Sequence, residues 1–114
     1  MNKNIVDLDL SRFSQTDVKK IHALQKKVWL MRRWCRCDCV EEAGREIFIL
    51  YSGDNGPKPY VIYRISKLID GKYILEGDTE GKAIGLGQTM DAVINLIPDN
   101  FYFTEYHTGS AKNG

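Results

Sequence analysis

The stretch from Tyr60 to Glu76 reads YVIYRISKLIDGKYILE. Tyr60–Leu68, rich in β-branched and aromatic residues, reads as a strand. Ile69-Asp70-Gly71 then supplies the Asp-Gly pair that favours a tight hairpin, and Lys72–Glu76 (KYILE) returns as the partner strand. An antiparallel hairpin is therefore the centre of the fold. Upstream, Glu46–Tyr51 (EIFILY) has the composition of a third strand. A loop rich in breakers, Ser52-Gly53-Asp54-Asn55-Gly56-Pro57-Lys58-Pro59, separates it from the hairpin. Downstream, Gly77-Asp78-Thr79-Glu80-Gly81 turns the chain into a short strand, Lys82–Leu86. Thr89 caps a short helix carrying Met90, Val93, Ile94 and Ile97 on one face, and Pro98 stops it. Asp99-Asn100 turns again before a final strand, Phe101–Tyr106 (FYFTEY), and a polar tail, His107–Gly114.

The N-terminal third reads differently. Ser14 as N-cap with Asp17 three residues later makes a capping box, and Phe13 with Val18 makes a hydrophobic staple. Val18, Ile21, Leu24, Val28 and Met31 recur at spacings of three and four, and Cys35 extends the row. This predicts an amphipathic helix over Gln15–Trp34. The order α-β-β-β-(β)-α-β gives an α+β class: an antiparallel sheet of four to five strands, with a long and a short helix on one face. All 114 residues are expected to belong to one domain, with 1–12 and 107–114 as flexible ends.

Apolar residues make up 43% of the chain and charged residues 27%, ordinary values for a globular domain. No apolar run approaches the ~18–20 residues that span a bilayer. The N-terminus alternates Asp7 and Asp9 with apolar residues and lacks a signal-peptide core, so no membrane partner and a cytoplasmic location are expected. Three cysteines crowded into Cys35-Arg36-Cys37-Asp38-Cys39 do not resemble a secreted disulfide framework either.

The net charge of +1 conceals an asymmetry. Residues 1–45 carry +4 and residues 46–114 carry −3. From Val18 to Arg36 there are seven cations and no acid: Lys19, Lys20, Lys26, Lys27, Arg32, Arg33 and Arg36. Lys19, Lys26 and Arg33 fall in line at a spacing of seven, bordered by His22 and Trp29, while Lys20 and Lys27 line the opposite flank. An ordinary solvated face mixes signs, because pairs of like charge one turn apart destabilise a helix. A one-signed face with Trp29 and Trp34 beside it points instead to contact with a negative or mixed partner surface. The candidate contact residues are Lys19, Lys26, Lys27, Trp29, Arg32, Arg33, Trp34 and Arg36. A surplus of aromatics (Trp29, Trp34, Tyr60, Tyr63, Tyr102 and Tyr106) supports the same reading.

Catalytic chemistry has little to stand on. There is no G-x-S-x-G and no H-E-x-x-H, and the acidic pairs Asp78/Glu80 and Glu41/Glu42 fall in turn-like, solvated contexts. Gly85-Leu86-Gly87 lacks the third glycine of a dinucleotide turn, since position 90 is Met90. Cys35, Cys37 and Cys39 with His22 or His107 could in principle hold zinc. In an extended chain, however, residues two apart lie ~6.6–6.8 Å from each other, wide for one tetrahedral ion. No cofactor is expected. The run Tyr60–Ile97, three strands leading through Gly-x-Gly-Gln-Thr into a helix, resembles the layout of HicB-like antitoxins, a pattern with no place for the basic N-terminal helix. The α-β-β-β-α order is also similar to a double-stranded-RNA-binding domain. There a lysine cluster opens the second helix, where this chain has Gln88-Thr89-Met90-Asp91. Neither family is adopted. The sequence is that of a small non-enzymatic binding or regulatory protein acting on another protein or on itself. Nucleic-acid binding by the same helix and a zinc module are the alternatives.

Overall fold

The computed structural model describes residues 12–53, 61–77 and 82–103. Helix α1 spans Gln15–Leu30. Five strands follow: β1 (Trp34–Glu42), β2 (Arg45–Gly53), β3 (Val61–Lys67), β4 (Tyr73–Glu76) and β5 (Ala83–Gly87). Helix α2 covers Met90–Ile94, and a single 3-10 turn covers Asp99–Phe101. The strands form one antiparallel sheet in the order β1-β2-β3-β4-β5, so each neighbour in sequence is a neighbour in space.

Both helices lie on the same face. Ile21, Leu24 and Val28 of α1 and Met90 and Val93 of α2 share a core with Phe48 and Leu50 of β2, Tyr63 and Ile65 of β3, and Tyr73 and Leu75 of β4. The expected α+β architecture is present with five strands. The capping box forms as read: the Asp17 N–H donates to the Ser14 hydroxyl (3.1 Å) and the Ser14 N–H to the Asp17 carboxylate (3.0 Å). The hairpin at Asp70-Gly71 forms too. The Gly71 N–H donates to the Leu68 carbonyl (2.8 Å), and Gly71 takes φ 91°, a value glycine reaches without strain.

Two expectations fail in the first half. The helix stops at Leu30, four residues before Trp34, because the chain closes it with a Schellman motif. The Arg32 N–H donates to the Trp29 carbonyl (2.8 Å) and the Arg33 N–H to the Val28 carbonyl (3.3 Å), with Arg32 itself left-handed at φ 63°. Glycine usually holds that position, so arginine gave no sign of a stop. Beyond it Cys35 does not extend the helical row: all three cysteines lie in strand β1. Cys35, Cys37 and Cys39 alternate with Arg36 and Asp38 at the strand period, opposite Ser52, Leu50 and Phe48 of β2. A two-residue turn, Ala43-Gly44, joins β1 to β2 with φ 52° and 79°, the all-positive geometry of a type I′ hairpin.

The third miss is the final strand. Phe101 ends the 3-10 turn as a fully buried core residue, Tyr102 and Phe103 follow it in a turn, and residues 104–106 lie outside the described residues. At the other end of the sheet, the glycines of Gly85-Leu86-Gly87 let α2 approach β5. A Cβ on Gly87 would meet the Ala92 Cβ at 2.8 Å, and one on Gly85 would meet Leu96 Cδ1 at 2.8 Å. Among the described residues, no helix is long and apolar enough to cross a membrane.

Candidate functional site

Because α1 buries Asp17, Ile21, Leu24 and Val28, its opposite side is fixed by the helical repeat. Lys19, His22, Ala23 and Lys26 lie there, all exposed. Lys19 and Lys26 have no ion-pair partner among the described residues. The flank nearer α2 is neutralised instead. The Lys20 ammonium bonds the Asp91 carboxylate at 2.7 Å, and the Lys27 ammonium sits 5.1 Å from the centre of the Tyr102 ring. At the C-terminal end of α1, Trp29, Leu30 and Met31 are 53%, 79% and 37% exposed, an apolar cluster on the surface. The Trp29 indole is anchored all the same: its Nε1–H donates to the Cys35 carbonyl at 3.1 Å, so the ring is held in place while half of it stays in water.

The eight sequence-derived contact residues do not form one surface. Arg33 is a correction: it is 6% exposed and works inside the fold. Its Nε–H donates to the Phe101 carbonyl (3.0 Å) and its Nη2–H to the Asn100 carbonyl (2.9 Å). The Ser52 hydroxyl donates to the same Phe101 carbonyl (2.7 Å). The Schellman motif swings Arg33 off the helical line and under the 3-10 turn. Trp34 and Arg36 are corrections of another kind. As β1 residues alternating with the core-facing Cys35, they lie on the sheet face away from the helices. There Arg36 bonds Asp38 (3.1 Å) and lies 5.9 Å from the Tyr51 ring. Lys19, Lys26, Lys27, Trp29 and exposed Arg32 stay together on and beside α1. Of the aromatics counted as surplus, Tyr63 is buried, Tyr102 is half-buried, and Tyr60 and Tyr106 lie outside the described residues.

No protein-family model, no curated protein sequence and no solved structure matches the chain significantly. The site must therefore be read from its own chemistry.

The three cysteines are free and strung along β1, with Cys35 buried, Cys37 half-buried and Cys39 exposed. Hydrogen bonding between Cys37 and Cys35, with help from the Arg33 charge, lowers the Cys35 thiol from its ordinary value. The same hydrogen bond, together with burial, drives Cys37 far up. Burial and the Glu46 carboxylate also push Cys39 up. Cys37 is thus held as a neutral thiol, the form that neither attacks nor ligates, while exposed Cys39 carries less thiolate than a free cysteine but stays open to exchange. Among the described residues no group of three or more His, Cys, Asp or Glu is gathered for a metal; exposed His22 lies on the outer side of α1, and His107 is outside those residues.

Sequence reasoning also missed what Asp17 does. Beyond its capping role, its buried carboxylate accepts from the Tyr73 hydroxyl (2.8 and 2.9 Å) and lies 3.6 Å from the Lys67 ammonium. These groups tie the first turn of α1 to the centre of the sheet. The strand alternation of Lys67 and Tyr73, which face each other across β3 and β4, was the available signal.

Proposed function

We propose that this chain is a non-enzymatic binding protein, regulatory in character, that docks on another protein through the outer side and C-terminal end of α1. One observation supports the reading: an anchored, half-exposed Trp29 with Leu30 and Met31 next to it, Lys26 one turn before it and Lys19 farther up the same side, the two lysines having no ion-pair partner among the described residues. Tryptophan flanked by cations is the usual composition of an interface hot spot, in which apolar burial supplies affinity and charge supplies orientation. The partner surface would be acidic or mixed around an apolar pocket. The free thiols of β1 suit a reducing, cytoplasmic setting.

The test compares capture of proteins from the native host by wild type, Trp29→Ala and Lys19→Glu/Lys26→Glu. The expected result is one retained protein, weakened about 30-fold or more by Trp29→Ala, in line with a hot-spot loss of ~2 kcal/mol. Arg36→Ala, on the far face, should leave retention unchanged. If the variants bind as wild type does, or if the chain instead binds DNA or RNA with a steep salt dependence lost on replacing Lys19 and Lys26, the reading is wrong.

A further inference from the structure

The sheet has two edges, and they are unlike. β5 is five residues long, contains two glycines under α2, and has a register shift opposite Leu75/Glu76 that breaks its regularity. β1 runs nine residues in unbroken register with β2 and has no proline or bulge to blunt its outer side. Which backbone groups that side presents follows from two observations. Glu42 and Arg45 flank the two-residue turn, so the even-numbered residues of β1 bond to β2. The Cys35 carbonyl, correspondingly, points outward and accepts from the side chains of Trp29 and Gln25. Cys37, Cys39 and Glu41 share its orientation and have no such cap among the described residues.

The side chains along this edge are polar in sequence order. Its start is basic, with Arg32 and with Arg36, which also bonds Asp38, and its end is acidic, with Glu42 and with Glu41, whose carboxylate Arg12 bonds at 3.2 Å. Antiparallel pairing of two such edges sets each basic end against the other's acidic end, whereas parallel pairing would set like against like. The uncapped stretch Cys37–Glu41 is centred on Cys39. A two-fold axis there leaves the Trp29 and Gln25 caps on Cys35 undisturbed. It places Cys37 opposite the partner's Glu41 and Arg36 opposite the partner's Glu42. The last pair is of the closely spaced kind, with Cα atoms about 4.5 Å apart.

We propose that the occupant of the β1 edge is a second copy of this chain, paired antiparallel about Cys39 to make one continuous ten-stranded sheet, with the α1 helices of both copies on the same face. This surface meets the partner surface proposed above at Arg32 and at the Trp29–Cys35 bond, but its pairing runs through Arg36–Glu42, so variants at Arg36, Cys39 and Glu42 test it apart from Trp29 and Lys26. The axis also juxtaposes Cys39 with its own copy. Their Cα separation, about 5.5 Å for a hydrogen-bonded pair, lies within disulfide reach.

Sedimentation of the full chain across protein concentrations tests the pairing. A reversible monomer–dimer equilibrium is expected. Arg36→Glu and Glu42→Arg should each weaken it about tenfold, because the two-fold axis makes every exposed charge pair count twice. The double variant, with the charges exchanged, should recover to within about threefold of wild type. Oxidised glutathione provides the second readout. Two Cys39 thiols give up two protons and two electrons, forming one Sγ–Sγ bond while the oxidant leaves as two glutathione thiols. The covalent dimer should persist in Cys37→Ser and vanish in Cys39→Ser. A single-chain mass at about 1 mM protein would overturn the proposal, since even weak association shows there. A linkage through Cys37, or no rescue by the charge exchange, would overturn the register. Protection of the Cys37, Cys39 and Glu41 amides from hydrogen exchange that does not change with concentration would overturn the occupant.

Discussion

Replacing Arg33 by methionine separates a structural cation from a contact cation. The methionine keeps most of the apolar stem that Arg33 buries and removes its donors, among them Nε–H to the Phe101 carbonyl and the Ser52 hydroxyl and Nη2–H to the Asn100 carbonyl. Hydrogen bonds from a charged group contribute ~1.5–3 kcal/mol each. The bonds to Phe101 and Asn100 by themselves correspond to a gross loss of about 3–6 kcal/mol. Two effects reduce it: the Ser52 hydroxyl still serves Phe101, and a buried guanidinium no longer has to be desolvated. The expected net cost is about 2–3 kcal/mol, a large share of the ~5–15 kcal/mol that holds a small domain folded. Equilibrium unfolding in urea, followed by tryptophan fluorescence, should show a lower midpoint at unchanged slope. Lys26→Met, on the outer side of the same helical line as the sequence draws it, should stay within about 0.5 kcal/mol of wild type. If Arg33→Met also stays within about 0.5 kcal/mol, the clamp under the 3-10 turn contributes nothing and Arg33 returns to the list of contact residues.

Tyr73, held up by burial and by its bond to the Asp17 carboxylate, stays protonated in the folded chain above the ~10 at which a free tyrosine ionises. Folded chains therefore bind the proton more tightly, and the stability from this group is complete below about pH 10 and lost as pH rises beyond it; Tyr73→Phe should be less stable at neutral pH and show a flatter alkaline limb in unfolding midpoints. Arg32→Gly relieves a left-handed residue at φ 63°, for which the penalty is ~1–2 kcal/mol, while adding glycine's own entropy cost of ~0.5–1 kcal/mol. Thermal unfolding should show a gain of up to about 1 kcal/mol, and a loss would contradict the Schellman reading. Gly87→Ala drives its Cβ to 2.8 Å from Ala92 Cβ and 3.2 Å from the Val93 backbone nitrogen, so α2 must shift, at a cost of ~1–3 kcal/mol. Gly85→Ala meets only the side chain of half-exposed Leu96, which can rotate away, and calorimetry should find it the milder of the two.

The second half of the sheet was legible because its signals are strong and local. Asp70-Gly71 marks its hairpin, Gly77 and Gly85-Leu86-Gly87 mark its boundaries, and the apolar residues of Tyr60–Glu76 have no helical alternative. The first half was not, for a definite reason. A helix row ending in Met31 and Cys35 and a strand row of Cys35, Cys37 and Cys39 share a residue, and the two periods can be told apart only by a stop signal between them. That stop exists, but arginine occupies its left-handed position, and alanine occupies the first left-handed position of the β1–β2 turn. Both are residues that carry no turn preference. The whole error therefore comes from two backbone positions where tertiary packing overrides local propensity.

That error changes how the charge asymmetry acts. Read as one helix, the seven cations from Lys19 to Arg36 made a single basic face. With the chain turned at Arg32, they divide by physical role. Lys20 and Lys27 hold α2 and Tyr102, Arg33 closes the 3-10 turn, and Arg36 joins an edge that ends in Glu41 and Glu42. Of the seven, Lys19, Lys26 and Arg32 have no such contact among the described residues, and toward the proposed partner three surface cations would supply orientation more than affinity. The affinity has to come from the apolar residues between them. Trp29 is the one that the fold itself positions, through its bond to the β1 edge at Cys35. The helix end and the strand edge thus meet at a single carbonyl. If the proposed partner pulled the indole away from it, that carbonyl would keep the Gln25 side chain and the edge would lose one of its caps.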